Sequence, residues 1–309
     1  LEFPHVFADG GFDVVVGNPP WEKTKLEAIQ YFASRDPAIA AAANKAARQK
    51  LIDALRLTNP TLADQYSIDK RNSEALSKFV RKGNRFPLSG RGDVNTYALF
   101  TELGRFLSSV EGRVGLIVPT GLVTSDTYKG FFKDLVDTSE LVSFIGFINS
   151  RKIFPAVKDY IQFALLTLGK ATEVKFAFML KDVDQIDDLI RPFALSPKEL
   201  ALLNPNTYTC PIFRTRIDAD LTKKVYRRVE VLQNESNGEN PWQVSFQRIF
   251  DMSNDSHLFF REPGPGRVPL FEGKMIHQFD HRYGTYEGAT QANVNEGNLP
   301  RTTAFQKAD

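Results

Sequence analysis

The stretch Phe12-Asp13-Val14-Val15-Val16-Gly17-Asn18-Pro19-Pro20-Trp21 decides how the chain is read. Consecutive valines favour a pleated, covered environment, so residues 12–17 read as a short buried strand. Gly17 then frees the backbone, and two prolines fix the following turn at φ of about −65°. Asn18 is therefore expected on a stiff loop just past the carboxyl end of a strand, which is where open α/β sheets bind ligands. A carboxamide, free carbonyl oxygens and an indole on one rigid corner suit the capture of a flat ring that bears an amine.

Outward from this corner, residues 23–57 are rich in Ala, Lys, Gln and Leu and read as a long helix, broken by Asn59-Pro60. A charged helix is expected over 68–82. The loop 83–93, with three glycines, a proline and two arginines, reads as irregular and mobile. Tyr97, Phe100, Leu103, Phe106 and Leu107 recur at helical intervals, and 114–119 reads as a second buried strand. A helix over 127–136 and a strand over 141–147 follow. The apolar runs 160–168 and 172–179, separated by Gly169-Lys170-Ala171, read as a terminal hairpin or paired strands. Strands alternating with helices predict an α/β sheet of covered parallel strands with an antiparallel edge. Short helical pieces are expected at 184–190, 197–203 and 218–229, followed by a Pro-, Gly-, Asn- and Asp-rich region with scattered aromatics.

The chain has 309 residues, enough for about two domains. Hydrophobic residues at 42% and charged residues at 25% describe an ordinary globular protein, and the 25 phenylalanines read chiefly as core. A net charge of +2 says little about partners, because local patches are hidden in the total. The single cysteine, Cys210, excludes an intramolecular disulfide and fits a reducing cytoplasm. No apolar run reaches membrane-spanning length. The chain opens Leu1-Glu2-Phe3-Pro4 and reaches a strand at once, so it is expected to be an excised piece of a larger protein.

The chemistry that suits the corner is methyl transfer to an exocyclic amine. Such a nitrogen is a poor nucleophile because its lone pair is delocalised into the ring. If the Asn18 side-chain oxygen and the Pro19 carbonyl each accept one N–H, the nitrogen gains tetrahedral character and its lone pair turns outward. Positive charge developing during attack strengthens both bonds, so they favour the transition state. Pro19 and Pro20 hold the acceptors in place, and Trp21 offers a π face worth about 1–3 kcal/mol per stacked base.

The tetrapeptide Asn18-Pro19-Pro20-Trp21 resembles the catalytic motif of amino methyltransferases that use S-adenosylmethionine. The wider string 10–22 is similar to that of large DNA adenine-N6 methylases, the Eco57I-like type IIG enzymes and the BREX and DISARM phage-defence methylases. The similarity continues through 95–100 and 112–121, and reappears at 204–207, 210–214 and 269–282. It implies the carboxyl part of a Rossmann-like class I methyltransferase sheet over 1–180. A helical connector over 181–235 and the start of a target-recognition domain over 236–309 would follow. It implies site-specific transfer of a methyl group from S-adenosylmethionine to adenine N6, in a restriction-modification or phage-defence system of a bacterial or archaeal cytoplasm. The partner would be double-stranded DNA with one flipped adenine, together with other subunits of the defence system.

Carried over residue by residue, Asn18, Pro19 and Pro20 form the catalytic corner. Trp21 stacks on the base, and Phe154, in Ile153-Phe154-Pro155, packs against the flipped adenine. The family holds its cofactor through a glycine-rich strand–loop–helix upstream of the motif. Only 17 residues precede Asn18 and they contain no such unit, so the main S-adenosylmethionine site is expected upstream of residue 1, and these residues alone are expected to be inactive. Arg85 and Arg91 in the glycine loop, and Lys274 and Arg282 near the end, are candidate phosphate contacts, with Arg261, Arg267 and Arg301 beside them. His277, Asp280 and His281 have metal-ligand spacing only on a helix and lack a further ligand, so no metal is expected. The alternatives are an RNA or protein-glutamine amino methyltransferase, or a non-catalytic DNA-recognition subunit that keeps the motif as scaffold.

Overall fold

The computed structural model describes residues 2–42, 44–260 and 262–307, which fall into two compact units, 1–244 and 245–309. In the first unit, helix α1 (Pro4–Ala8) runs through a Gly10-Gly11 turn into strand β1 (Phe12–Gly17). Gly11 has φ of +119°, and a Cβ there would lie 2.8 Å from the Leu107 carbonyl oxygen, so only glycine fits. Helices α2 (Ala28–Phe32), α3 (Pro37–Ala40), α4 (Lys45–Thr58) and α5 (Pro60–Lys82) follow.

The long helix expected over 23–57 is thus three shorter ones. Asp36 caps α3 through Oδ1, accepting from the Ala38 and Ile39 N–H groups, and Asn44 caps α4 by accepting from Ala47. Each cap supplies an acceptor for otherwise unpaired first-turn donors, which makes a fresh helix start cheaper than continuation through Pro37. Asn59 both ends α4 and caps α5, as the break at Asn59-Pro60 predicts. These helices close a small aromatic core of their own, with Tyr31, Phe32 and Tyr66 in mutual ring contact.

Helix α6 (Thr96–Leu107) leads into β2 (Ser108–Pro119), then α7 (Gly121–Thr124), α8 (Lys129–Asp137) and β3 (Leu141–Ile148). Strands β4 (Gln162–Leu168), β5 (Lys175–Leu180) and β6 (Phe193–Ala194) complete one six-stranded sheet of order β1-β2-β4-β3-β5-β6. Strands β1 and β2 are parallel, as are β3 and β5. Strand β4 runs antiparallel between β2 and β3, and β6 is a short antiparallel edge. The antiparallel element therefore occupies the interior as well as the expected edge. Strands β4 and β5 are not a hairpin, because β3 lies between them. Their link crosses below β3, with Gly169 and Ala171 N–H groups donating to the Glu140 and Ser139 carbonyls.

The sheet's two faces are covered unequally. Val114, Leu116, Val118, Phe144, Ala164, Leu166, Phe176 and Phe178 belong to the large core, which also holds residues of α6, α7 and α8. Phe193, Leu195, Leu200, Cys210, Phe213 and Ala219 belong to the same core, so 193–219, which includes α9 (Pro197–Leu203), packs with the sheet. Helix α10 (Arg216–Tyr226) contributes Ala219. The opposite face carries a thinner cluster of Ile145, Phe147, Phe163, Ala177 and Leu180. Strand β1 departs from the buried reading: Val14 is 62% and Val16 78% exposed. It lies at the sheet edge, paired only with β2 among the described residues, and only Val15 faces the large core.

In the second unit, α11 (Met252–Asp255), α12 (Gln291–Glu296) and short turns are the regular structure. Phe246, Ile249, Phe260, Phe271, Phe279 and Phe305 are all exposed there.

Candidate functional site

The motif begins where β1 ends. Asn18 is exposed, Pro19 is buried and Pro20 is exposed, so the prolines wedge the loop against the sheet and leave the carboxamide outside. The Asn18 side chain and the Pro19 carbonyl have no hydrogen-bond partner among the described residues, whereas the Pro20 carbonyl accepts from the Thr96 hydroxyl at 2.6 Å. Thr96 also accepts from the Glu22 N–H at 3.0 Å, and its own N–H donates to the Glu22 carbonyl at 2.9 Å. Thr24 N–H donates to the Val94 carbonyl at 3.1 Å. The segment after the motif is thus laced in extended form to the entry of α6, and the loop cannot swing as a hinge.

Below that entry, Asn95 N–H donates to the Tyr128 hydroxyl at 3.0 Å, and the hydroxyl donates to the Asp93 carbonyl at 3.2 Å. Burial pushes the Tyr128 phenol above its ordinary range and the Tyr97 phenol beside it far above. Both stay protonated at all working pH values and serve as fixed donors and packing groups. Asp93 holds the Lys23 ammonium above its usual range through a 3.1 Å contact.

Trp21 is partly buried. Its Nε1–H donates to the Ile117 carbonyl of β2 at 3.3 Å, and its ring packs on both sheet clusters. Phe154 packs on the thinner cluster as well, with its ring edge-on to Phe163 at 4.9 Å. Phe163 in turn stacks on Phe147 at 5.2 Å. The structure therefore brings Asn18, Trp21 and Phe154 to the same end of the sheet, past the carboxyl ends of β1 and β3.

Two residues that matter here are not legible as site residues in the sequence. Thr96 is one. The other is Asn149, fully buried just after β3. Its Nδ2 donates to the carbonyls of Phe154 at 3.0 Å, Val157 at 2.9 Å and Lys158 at 3.3 Å, while Oδ1 accepts from the Phe154 N–H at 2.9 Å. A single carboxamide thus folds the loop that presents Phe154. The only sequence signal is an Asn closing an apolar strand, which loops share too widely to be diagnostic.

The candidate phosphate contacts separate. Arg91 is exposed and precedes Asp93, the partner of Lys23, so it lies on the motif side. Arg85 is exposed on a cavity of about 1080 Å³ whose walls include Ser108–Val110, Leu168 and Glu140, at the amino ends of β2 and β3 and so the opposite end of the sheet. The loop between them is anchored, against the mobile reading. The nearly buried Glu102 carboxylate accepts from the Leu88 N–H at 3.1 Å, the Ser89 N–H at 2.8 Å and the Ser89 hydroxyl.

In the second unit, Lys274 contacts Glu272 at 3.1 Å and lies 4.9 Å over the Tyr286 ring. Arg282 donates from Nε to His281 at 3.3 Å. His277 and Asp280 close a tight turn, not a helical turn, and Asp280 pairs with Lys307. Among the described residues no group of three or more His, Cys, Asp or Glu is placed to hold a metal. Arg261 lies outside the described residues.

No glycine cradle opens toward Asn18 among the described residues. The Gly10-Gly11 turn joins helix to strand and stands at the amino end of β1. The oxygens at Asn18 and Pro19, unpartnered among the described residues, are acceptors suited to the N–H groups of an amine. No helix is long and apolar enough to cross a membrane among the described residues.

Residues 1–50, which contain the motif, match the family model of the Eco57I restriction-modification methylases. A curated relative, the endonuclease MutS2 of Alkaliphilus metalliredigens, is 26% identical over 196 residues, covering 63% of this chain and 23% of its own length. Among solved structures, the type I restriction-modification methyltransferase subunit of Streptococcus thermophilus aligns with TM-score 0.33 and 18% identity, over 43% of this chain and 34% of that one. The type IIG restriction endonuclease BpuSI aligns with TM-score 0.30 and 20% identity, over 54% and 15%. The chain thus spans about a third or less of the length of each of these relatives.

Proposed function

We propose that this chain carries the target-amine side of a DNA adenine-N6 methyltransferase of a restriction-modification or phage-defence system. The observation that carries the reading is the corner itself. Among the described residues the Asn18 carboxamide and the Pro19 carbonyl are unpartnered acceptors on a loop whose next carbonyl, that of Pro20, is tied down by Thr96. The match of residues 1–50, which include this corner, to the Eco57I methylases supports it.

In this reading the Asn18 oxygen and the Pro19 carbonyl each accept one N6–H of an adenine turned out of the duplex. The amine lone pair then points away from the ring, and both bonds strengthen as nitrogen gains positive charge. Trp21 and Phe154 bound the base. Unstacking it costs a few kcal/mol, and aromatic contacts of about 1–3 kcal/mol each offset that. S-adenosylmethionine is the donor in this proposal, and its electrophilic methyl group needs alignment more than acid–base help. Of the four proposed phosphate contacts, Arg85, Arg91, Lys274 and Arg282, Arg91 lies closest in the chain to the residues that anchor the motif.

The test is transfer of tritium from labelled donor by the full-length protein to duplex DNA, RNA and glutamine-containing peptide, with Asn18→Ala alongside. Label in adenine N6 of DNA, reduced by about 100- to 1000-fold in the variant while DNA affinity persists, is expected. Label only in RNA or peptide would overturn the substrate assignment. An unchanged rate in Asn18→Ala would overturn the mechanism.

A further inference from the structure

Helix α5 reaches the candidate site through two serines. Ser73 Oγ donates to the Thr24 carbonyl at 2.7 Å and accepts from the Leu26 N–H at 2.8 Å, and Ser77 Oγ meets Thr24 Oγ1 at 3.2 Å. Thr24 is three residues past Trp21. One wall of α5 is therefore clamped to the strap that follows the motif.

The neighbouring stripe of α5 is basic. A groove of about 420 Å³ between α5 and that strap is lined by Lys25, Lys70, Lys78, Arg81 and Lys82, with Glu74 as the one carboxylate. All five cations are exposed. Among the described residues Lys25, Lys70, Lys78 and Lys82 make no ion pair, whereas Arg81 donates to the Gly92 carbonyl at 2.8 Å. A charged helix face is ordinarily a mixed, solvated one, and three other cavities fit that pattern. The next groove along α5 sets Arg56 and Lys70 against Asp53 and Asp64. The large cavity sets Arg85, Arg105 and Lys170 against Glu102, Asp134 and Glu140. The cavity beside α9 sets Arg216 and Lys223 against Glu173, Glu199 and Asp220. In a chain of nearly balanced charge, the segregated groove among these four is the one fastened to the motif.

We propose that the groove between α5 and the Lys23–Leu26 strap is a track for the phosphate backbone of the DNA whose base enters the site, with Lys25, Lys70, Lys78 and Lys82 as its contacts. The proposal rests on the DNA reading above. At 1.5 Å per residue, Lys70 to Lys82 spans about 18 Å. Over that length one strand of duplex carries about five phosphates at 3.4 Å each. Unpaired ammonium groups in this row displace condensed counterions on binding, which makes the contact strongly salt-dependent and indifferent to sequence. A track so close to Trp21 holds the strand while one nucleotide is extruded.

The test is fluorescence anisotropy of labelled duplex DNA with the full-length protein over a series of salt concentrations. The triple variant Lys70→Ala, Lys78→Ala, Lys82→Ala keeps the helix, since alanine is the stronger helix former. Its slope of log affinity against log salt is expected to fall by about three, with affinity lowered about ten- to a hundredfold at moderate salt. Lys198→Ala with Lys224→Ala, on exposed positions of α9 and α10, is expected to leave the slope unchanged. A wild-type slope in the triple variant would overturn the track whether or not the protein methylates DNA. A reduced slope in a protein that transfers no methyl group to DNA would uphold the track and overturn the methylation reading instead.

Discussion

At the scale of single residues, the site depends on two side chains that do no chemistry. Asn149 satisfies three carbonyls and one N–H from inside the protein, so its amide and its oxygen are both in use. Asn149→Asp keeps the shape but turns a donor into a second acceptor that faces three carbonyl oxygens. It is expected to destabilise the fold by about 2–4 kcal/mol, seen as a lower urea midpoint, and to release Phe154 from its edge contact with Phe163. An unchanged midpoint would show that the loop is held by other means. The sequence made Asn18 and Trp21 visible because prolines and a strand fix their setting. Asn149 stayed hidden because its role is defined by carbonyls five to nine residues away, and hydrogen bonds to backbone leave no trace in residue type.

At the scale of elements, some local signals are legible in the sequence and the long-range pairings are not. Helix α9 is legible because Ser196, Pro197 and Glu199 spell a capping box with proline at the first helical position. The split of 23–57 was not, because Asp36 and Asn44 resemble ordinary interior polar residues until their caps form. The insertion of β4 between β2 and β3 was not legible either, since apolar runs carry no record of partner or direction. Glu102 is the element-scale device with the clearest consequence. Glu102→Ala leaves the Leu88 and Ser89 N–H groups without their acceptor, at a cost of about 1–3 kcal/mol for each buried donor. Trypsin is expected to cut at Arg85 or Arg91 much faster in the variant than in the parent. Equal cutting rates would mean the loop does not depend on this carboxylate.

At the scale of the molecule, every buried apolar residue among those described lies at or before Ala219, so the stability of the chain resides in the first unit. Cys210 reports on that core. Burial alone pushes its thiol well above the ordinary range. The unfolded thiol ionises at about pH 8.5, while the folded one stays protonated there. This contribution to stability is complete below that pH and is lost as the pH rises toward the folded value. Iodoacetamide at mildly alkaline pH is expected to leave native Cys210 unmodified and to alkylate it promptly in urea. Fast native labelling would show that the core around 193–219 opens.

The bare margin of β1 has a practical corollary. Among the described residues no strand pairs with its outer side, Val14 and Val16 lie open there, and Asp13 is the single charge on the strand. Natural sheets blunt such a rim with lysine, proline or a covering loop, and none of these sits within this strand. Purified on its own at high concentration, the polypeptide would be sticky along that one line, with turbidity that builds steeply with dose and fades when a lysine replaces Val16.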